Sequence, residues 1–487
     1  MTSLWRFDNS YARLPERFYA RVNPTRVEAP TLIRINAALA ETLGLDHAQL
    51  ARSEYAQIFA GNSILEGSEP ISQAYAGHQF GHFVPSLGDG RAILLGEHLA
   101  PDGRRFDIQL KGSGKTPFSR RGDGRAALGS VMREYIIGEA LHALGIPTTR
   151  SLAFVTTGES VMRETPLPGA VLTRVASSHI RVGTFEYFSA KEDLQALKVL
   201  ADYVIARHYP YIAQHPEPYS ELCRQFMQRQ IELVTQWLLC GFVHGVLNTD
   251  NVALSGESID FGPCAFIDTY DPDTVFSSID QDGRYAYGSQ AGITQWNLAR
   301  FFEALLALVD SDLERAVDKA QGLVEEFPRV FRKQWLQGMR KKLGLNTEEA
   351  EDLGLVEELL NVMRDSKLDY TNTFRSLTTG PRGVAFLQGN PRLVAWFNRW
   401  RERLDQDRNR CSLSEAMQSM RQHNPAYIPR NYRVEEAITA GVERADFSVM
   451  DNLMNVLSDP YRDRAETEQY AKPPPTTFVG YRTFCGT

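Results

Sequence analysis

Cysteine is scarce in this sequence, and its spacing is wide. The 487 residues include five cysteines and no CxxC pair; they are Cys223, Cys240, Cys264, Cys411 and Cys485. An odd number of widely spaced thiols argues against both a secreted disulfide framework and a cysteine-based zinc module. A chain of this length buries enough apolar surface to fold without such cross-links.

Long apolar runs and an excess of positive charge are also missing. No stretch approaches the roughly 18 apolar residues that a membrane-spanning helix needs, and the N-terminus lacks the apolar core of a secretory signal peptide. The formal net charge is −7, which makes duplex nucleic acid a poor partner. We therefore expect a cytoplasmic, globular protein that begins at Met1 and has neither a membrane nor a nucleic acid as its partner.

A strand-rich part precedes a helix-rich part along the chain. Short, partly alternating apolar runs over Gly77–Gly112 and over 151–175 predict antiparallel strands. Helices are predicted over Thr31–Leu45 and Ser130–Leu144, and long patterns of period 3.6 predict further helices after about Phe185. This order predicts an α+β fold with two lobes, of which the first is rich in strands and the second is helical.

Four segments follow from this division. They are an N-terminal extension over 1–74, a smaller strand-rich lobe over 75–180, a larger helical lobe over 181–465, and a tail over 466–487 that carries Cys485. The tail begins with KPPP, which predicts an extended chain.

The densest chemical signal is the segment FVHGVLNTDNVALSGESIDFGPC. An apolar run leads into a polar loop, His244–Asn251, which is followed by a predicted apolar strand over Val252–Leu254 and then by Asp260. Mg²⁺ prefers hard oxygen ligands and usually takes only one or two from protein side chains. Asn251 and Asp260 are therefore the predicted metal ligands, with Mn²⁺ as an alternative to Mg²⁺.

This segment resembles the catalytic centre of the protein kinase superfamily. His244 and Asn251 have the spacing of the first and last residues of the kinase H-R-D-L-x-x-x-N loop, and Asp260 begins a DFG motif. Val246 stands where a kinase has its catalytic aspartate, and a valine cannot accept a proton. Asp250 is the available replacement base, while His244 is expected to fix the loop through hydrogen bonds.

Lys111 and Glu134, which lie earlier in the chain, match the lysine–glutamate pair of a kinase. Lys111 ends the predicted strand DIQLK, and Glu134 lies on the following helix. Glu134 shares a helical face with Ile137, Leu141 and Leu144, so its carboxylate should point inward. A buried carboxylate needs a partner, and Lys111 is the natural one.

A Gly-Asp-Gly-Arg motif occurs twice, once before Lys111 and once between Lys111 and Glu134. Gly88-Asp89-Gly90-Arg91 occupies the position of the kinase glycine-rich loop, and the motif recurs as Gly122-Asp123-Gly124-Arg125. Glycines allow the backbone to approach a phosphate closely. Since Asp89 would repel a triphosphate, Arg91 is expected to face the anion.

Two arginines have no counterpart near the linker of an ordinary kinase. Arg174 and Arg181 lie in LTRVASSHIRVG. Two guanidinium groups there favour a second anionic group where an adenine ring would usually sit. In a nucleotide bound in reverse, the terminal phosphates would meet these arginines and the α-phosphate would face the metal and the base.

Taken together, the sequence is similar to the selenoprotein O family of kinase-like protein adenylyltransferases. The similarity covers nearly the whole chain, through LPERFY, AYAGHQFGH, LGDGRA, LKGSGKTPFSRRGDGRAAL, LGIPTTRSLA, HGVLNTDN, DFGPC and the C-terminal cysteine. The resemblance implies that ATP binds flipped relative to kinases. It also implies that AMP is transferred to a serine, threonine or tyrosine hydroxyl of a protein and that pyrophosphate leaves.

The resemblance also implies roles for individual residues. Asp250 would be the proton acceptor, Asn251 and Asp260 would bind Mg²⁺, and Lys111, held by Glu134, would stabilise charge on the leaving group. The residues implied at the nucleotide are Gly88, Gly90, Arg91, Lys111, Asp123, Gly124, Arg174, Arg181 and Asp260.

Three other functions stay open at this point. A kinase would transfer the γ-phosphate, although Val246 and the lack of a GxGxxG loop count against it. A non-catalytic nucleotide-binding scaffold would not need the complete set of charged residues. Transfer of UMP instead of AMP is not excluded by any residue of the sequence.

A redox pair is a further hypothesis. Cys264 follows the DFG motif by two residues, in the place of an activation loop, and Cys485 lies on a tail that could reach it. A reversible disulfide between them would gate the site, because disulfides in reducing compartments tend to be regulatory. Two unrelated free thiols are the alternative.

Overall fold

The computed structural model describes residues 4–378, 389–407, 412–478 and 480–483. Its strands, in chain order, are β1 Tyr19–Arg21, β2 Thr31–Ile35, β3 Ile71–Gln73, β4 Gly77–Gln79, β5 His82–Val84, β6 Ala92–Leu99, β7 Arg105–Lys111, β8 Ala126–Ala127, β9 Arg150–Met162, β10 Pro166–Ala176, β11 Phe242–Val243 and β12 Ala265–Phe266. Its α-helices are α1 Ala37–Thr42, α2 His47–Leu50, α3 Ser53–Phe59, α4 Leu128–Ala143, α5 Val182–Ser189, α6 Leu194–His208, α7 Pro218–Cys240, α8 Gln290–Val309, α9 Leu313–Lys342, α10 Asp352–Asp365, α11 Tyr370–Leu377, α12 Pro391–Gln406, α13 Leu413–His423, α14 Asn431–Arg444 and α15 Ser448–Leu457.

The main sheet is antiparallel, as predicted, and it sets the positions of two charged side chains. Its strand order is β1-β3-β6-β7-β10-β9-β2, with β8 paired to β10. Lys111 of β7 lies opposite Leu172 of β10, and Gln109 lies opposite Arg174. Directly opposed residues, and residues two apart on one strand, share a face of the sheet. Lys111, Gln109 and Arg174 are therefore on the same face.

The helix predicted over Thr31–Leu45 is wrong in its first part. Thr31–Ile35 is strand β2, which pairs with β9, and only Ala37–Thr42 is helical. Asn36 separates the two elements, because its side chain accepts a hydrogen bond from Leu39 N at 3.1 Å and so caps α1. Pairing with the exposed edge of β9 outweighs the helical pattern of the apolar residues.

The other long helices agree with the periodicity. The helix predicted over Ser130–Leu144 is α4, and the patterns after Phe185 correspond to α6, α7 and α8. Gly241 ends α7 with a φ of 83°, a conformation that favours glycine, and turns the chain into β11. This turn places the polar loop after β11 against the helical part of the molecule.

The strand predicted over Val252–Leu254 is also wrong. A single bridge joins Ala253 to Arg181, and no ladder extends from it. The neighbouring segment begins helix α5 at Val182, so the pairing cannot continue. Within the described ranges, no helix is both long enough and apolar enough to cross a bilayer.

Candidate active site

The loop after β11 is held in place by its own polar groups. His244 is fully buried, and its Nε2 lies 2.8 Å from Ile259 O, to which it donates. Burial lowers the pKa of His244, so the ring is neutral. Asn251 Nδ2 donates to Val246 O at 2.8 Å. His244 thus fixes the loop, which is the role that the sequence predicts for it.

Three cations surround two carboxylates at the centre of the site. Lys111 Nζ lies 2.5 Å from Glu134 Oε2 and 3.0 Å from Asp260 Oδ1. Arg174 Nη2 lies 2.5 Å from Glu134 Oε1 and 2.7 Å from Asp260 Oδ1. Arg181 Nη1 lies 2.5 Å from Asp260 Oδ2. We call Lys111, Glu134, Arg174, Arg181 and Asp260 the ion cluster.

The charges of the ion cluster determine its protonation. Burial alone would raise the pKa of Asp260, but the charges of Arg174, Lys111 and Arg181 outweigh it and hold that pKa well below its usual value. The pKa of Glu134 is lowered for the same reason, because Arg174 and Lys111 outweigh its burial. Burial and the charge of Arg174 lower the pKa of Lys111. Both carboxylates are therefore ionised at neutral pH.

Asp260 also has an unusual backbone. Its φ of 64° lies in the left-handed region, which non-glycine residues rarely adopt. Such a conformation costs on the order of 1–3 kcal/mol and persists only where the surroundings impose it. The three cations that converge on this carboxylate supply that constraint.

Asp250 lies beside the ion cluster, in a 3₁₀ turn over Thr249–Asn251. Its side chain is buried, and Arg181 Nη1 donates to its backbone oxygen at 2.6 Å. Burial raises the pKa of Asp250 to about 6, although the charge of Arg181 opposes the shift. A carboxylate with such a pKa is a stronger base than an exposed aspartate and is still mostly ionised near neutral pH.

One cavity brings the predicted site residues together. It has a volume of about 650 Å³. The predicted residues on its wall are Gly88, Gly90, Arg91, Lys111, Asp123, Gly124, Arg174, Arg181, Asp250, Asn251 and Asp260. Glu134 is absent from this wall and acts from behind it, through Lys111 and Arg174.

The aspartates of the two Gly-Asp-Gly-Arg motifs have different surroundings. Asp89 is 2% exposed and turned into the protein, where its Oδ2 accepts from Gln73 N at 3.1 Å. This oxygen is thus engaged by the backbone of β3, and burial raises the pKa of Asp89. Asp123 lies at the surface and forms an ion pair with Arg163 at 2.8 Å.

Comparison with known proteins gives this arrangement a family. The family model described as "Protein adenylyltransferase SelO" matches residues 3–458. The chain belongs to the SelO family. The prediction of a protein adenylyltransferase, and hence of a nucleotidyltransferase enzyme, is confirmed.

Curated relatives are similar over their whole length. "Protein nucleotidyltransferase YdiU" of Anoxybacillus flavithermus is 58% identical over 490 residues, which covers 100% of both chains. The protein of the same name from Geobacillus kaustophilus is 56% identical, again over 100% of both. That of Syntrophotalea carbinolica is 56% identical over 99% of this chain and 98% of its own.

In this SelO-family chain the cavity wall also includes residues that the sequence did not indicate, among them Gln79 and Arg163. Gln79 contacts Asp250, and Arg163 pairs with Asp123. Neither belongs to a spacing that indicates a site, because Gln79 lies 171 positions before Asp250. The GHQFGH phrase around Gln79 was the available signal, since glycines on either side of a polar residue often mark a tight approach.

Only Cys264 of the proposed redox pair lies within the described residues. Cys264 is fully buried, and burial raises the pKa of its thiol to about 12. A thiol in such surroundings is unreactive unless the segment moves. Cys485 lies outside the described residues, so the disulfide stays a prediction.

Proposed function

We propose that this adenylyltransferase binds ATP in the cavity and transfers AMP to a serine, threonine or tyrosine hydroxyl of a protein. The main observation behind this proposal is that residues of the ion cluster, the candidate base Asp250 and the Gly-Asp-Gly-Arg motifs line one cavity. In the reaction, the hydroxyl oxygen bonds to the α-phosphorus and the bond between the α-phosphorus and its bridging oxygen breaks. The hydroxyl proton goes to Asp250, and pyrophosphate leaves.

The cations support the reversed orientation of the nucleotide. Arg174 and Arg181 are 1% and 2% exposed, and both reach the cavity wall. Fixed, desolvated guanidinium groups stabilise phosphate charge strongly, since they need no reorganisation during the reaction. In this proposal they and Lys111 face the leaving pyrophosphate, and they exchange contacts with Asp260 for contacts with phosphate oxygens.

The residues present fit a divalent cation that arrives with the nucleotide. Asn251 and the ionised Asp260 offer hard oxygen ligands on the same cavity wall. Among the described residues there is no group of three or more histidine, cysteine, aspartate or glutamate side chains that would hold a metal alone. Mg²⁺ suits this pair, because it takes its remaining ligands from phosphates and water. When bound, it would neutralise charge on the phosphates, with Mn²⁺ as the alternative ion.

Asp250 is the proposed proton acceptor. Val246, at the position of the kinase base, lines the same cavity and has no titratable group. Asp250 is held by the loop that also carries Asn251, which places the proton acceptor next to the proposed metal ligand. Its pKa of about 6 suits a general base at neutral pH.

The kinase-like, two-lobed layout is part of the same proposal. All strands of the main sheet lie before residue 177, and the helices from α5 onward follow it. The proposed lobes are 75–180 and 181–465, with the extension over 1–74 and the tail over 466–487 packed around them. ATP would then lie between the sheet and the loop that follows β11.

Labelled nucleotides test the reaction. The protein, Asp260→Ala and Asp250→Asn are incubated with α-³²P-ATP or γ-³²P-ATP and a mixture of acceptor proteins. Asp202→Asn, which removes an exposed carboxylate that is not part of the cavity wall, is the control. We expect protein label from the α form only, lost in both site variants and kept in the control. Label from the γ form would show a kinase, and label from neither would favour a scaffold.

Transfer of UMP is the second candidate. The names of the relatives say nucleotidyltransferase and do not specify the nucleotide. The same assay with α-³²P-UTP decides between them. Higher kcat/KM with UTP than with ATP would replace AMP by UMP in this proposal without changing the roles of the residues.

A further inference from the structure

The hairpin of β4 and β5 reaches the carboxylate of Asp250. Gln79 Nε2 donates to Asp250 Oδ2 at 3.2 Å. The backbone of Gly77 lies against the other oxygen, because a Cβ at this position would be 2.6 Å from Asp250 Oδ1. Among the described residues, Asp250 Oδ1 is buried without a hydrogen-bond partner. One oxygen of the carboxylate is thus held by Gln79, and the other lies buried beside Gly77 without a hydrogen-bond partner in the described part of the chain.

The backbone of the hairpin is bonded to the same loop. His78 N donates to Thr249 Oγ1 at 2.7 Å, and Phe80 N donates to Asn248 Oδ1 at 3.0 Å. Together with Gln79, three successive hairpin residues therefore bind the side chains of three successive loop residues. This row of contacts fixes the hairpin relative to the loop.

Further groups lock this register. Glu186 of α5 accepts from Thr249 Oγ1 at 2.5 Å and lies 2.6 Å from His78 Nδ1. Tyr285 Oη donates to Asn248 Oδ1 at 2.5 Å. Phe80, in the turn, has a φ of 51°, which is rare for a bulky residue. Such strain, on the order of 1–3 kcal/mol, persists where the surroundings impose the conformation.

We propose that Gln79 is a positioning residue for nucleotide transfer, which fixes the orientation of the Asp250 carboxylate by holding Oδ2. The inference rests on the proposed function, since it takes Asp250 as the base. Gln79 lies on the cavity wall but acts through Asp250. A displacement of about 1 Å in a reacting group costs on the order of 100-fold in rate, so the loss of one such bond is measurable.

The first experiment removes the donor and keeps the shape. Gln79→Met has a side chain of similar length without a hydrogen-bond donor, and His82→Ala changes an exposed residue of the same hairpin. We expect kcat for AMP transfer to fall about 10–100-fold in Gln79→Met, with the Kd for ATP within about two-fold of the wild type. His82→Ala should keep the wild-type kcat. An unchanged kcat in Gln79→Met, or an equal loss in His82→Ala, would overturn the inference.

The second experiment separates positioning from a structural role. Measured against the residual transfer rate of Asp250→Asn in a long incubation, Gln79→Met should cause no further loss, because its effect runs through the missing carboxylate. An independent loss of the same size would show a different role for Gln79. Gln79→Glu keeps the shape but faces Asp250 with a second carboxylate, so its kcat should fall at least as far as that of Gln79→Met. Wild-type kcat in Gln79→Glu would contradict the inference.

The two proposals fail in different ways. If Asp250→Asn keeps the wild-type transfer rate, the base assignment is wrong and the role of Gln79 falls with it. If Asp250→Asn is inactive and Gln79→Met is fully active, only the role of Gln79 is wrong. The melting temperature of each variant shows whether a lost rate reflects unfolding instead.

Discussion

Replacing Glu134 by glutamine tests the ion cluster most directly. Glu134 is 4% exposed and accepts from Lys111 Nζ at 2.5 Å and from Arg174 Nε at 2.7 Å. Glutamine keeps one acceptor oxygen but removes the charge, so the three cations of the ion cluster would be left with the single negative charge of Asp260. Breaking a buried ion pair costs about 3–5 kcal/mol. Because one acceptor remains, we expect the free energy of unfolding to fall by about 3 kcal/mol.

Urea unfolding followed by tryptophan fluorescence measures this loss. The slope of the free energy against urea should stay constant, since the folded core is unchanged. Glu139→Gln is the matched control on the same helix. Glu139 is 9% exposed and accepts from Arg150 Nε at 2.8 Å and from Ser151 N at 3.1 Å, away from the cavity. It should lose stability to a similar degree.

Activity distinguishes the two glutamates. Without Glu134, Lys111 is no longer fixed at the cavity wall, so the rate of AMP transfer should fall about 100-fold, as when a preorganised donor is lost. Glu139→Gln should transfer AMP at the wild-type rate while it is folded. Two results would contradict this prediction. One is a free energy of unfolding of Glu134→Gln within about 1 kcal/mol of the wild-type value, and the other is an equal loss of activity in both variants.

Three further predictions concern separate parts of the chain. Burial lowers the pKa of Lys342 to about 7, below that of an unfolded lysine, so the unfolded state binds more protons above this pH and stability should rise with pH. Between about pH 7 and pH 8.5 the wild type should gain about 2 kcal/mol over Lys342→Met in urea unfolding; a difference that does not change with pH would contradict this. Gly77→Ala would push its Cβ against Asp250 Oδ1, at 2.6 Å, so AMP transfer should fall about 100-fold while calorimetry shows ATP affinity retained. Cys264 should react with a thiol reagent far more slowly in the native protein than in urea, since burial raises its pKa to about 12; equal rates would show that the segment opens readily.

The ion pair of Lys111 and Glu134 was predictable because local rules suffice. The helical face of Glu134 pointed the carboxylate inward, and a buried carboxylate requires a cation. The helix predicted over Thr31–Leu45 failed for the opposite reason. Pairing of β2 with β9, more than 100 residues away in sequence, decides its first part, and only the cap at Asn36 gave a local hint.

The remaining contacts of the site depend on distances that no pattern encodes. Arg174 and Arg181 were expected at a second anion site, and the structure places both against Asp260, 86 and 79 positions away. Gln79 meets Asp250 across 171 positions, through a hairpin whose strands have three residues each. Short strands carry too little periodicity to reveal their partners.

The ion cluster has a consequence for selectivity. Lys111, Arg174 and Arg181 carry three positive charges against the two negative charges of Glu134 and Asp260. Asp260 therefore occupies the donors of the cluster, and in the proposed function a nucleotide would compete with it for them. A singly charged anion would bind weakly at these donors, since it offers the cations no more charge than Asp260 already does. In the proposed function, a polyphosphate that arrives with its own cation would gain on both sides, because the metal would be held by Asp260 while the phosphates would contact the arginines and the lysine.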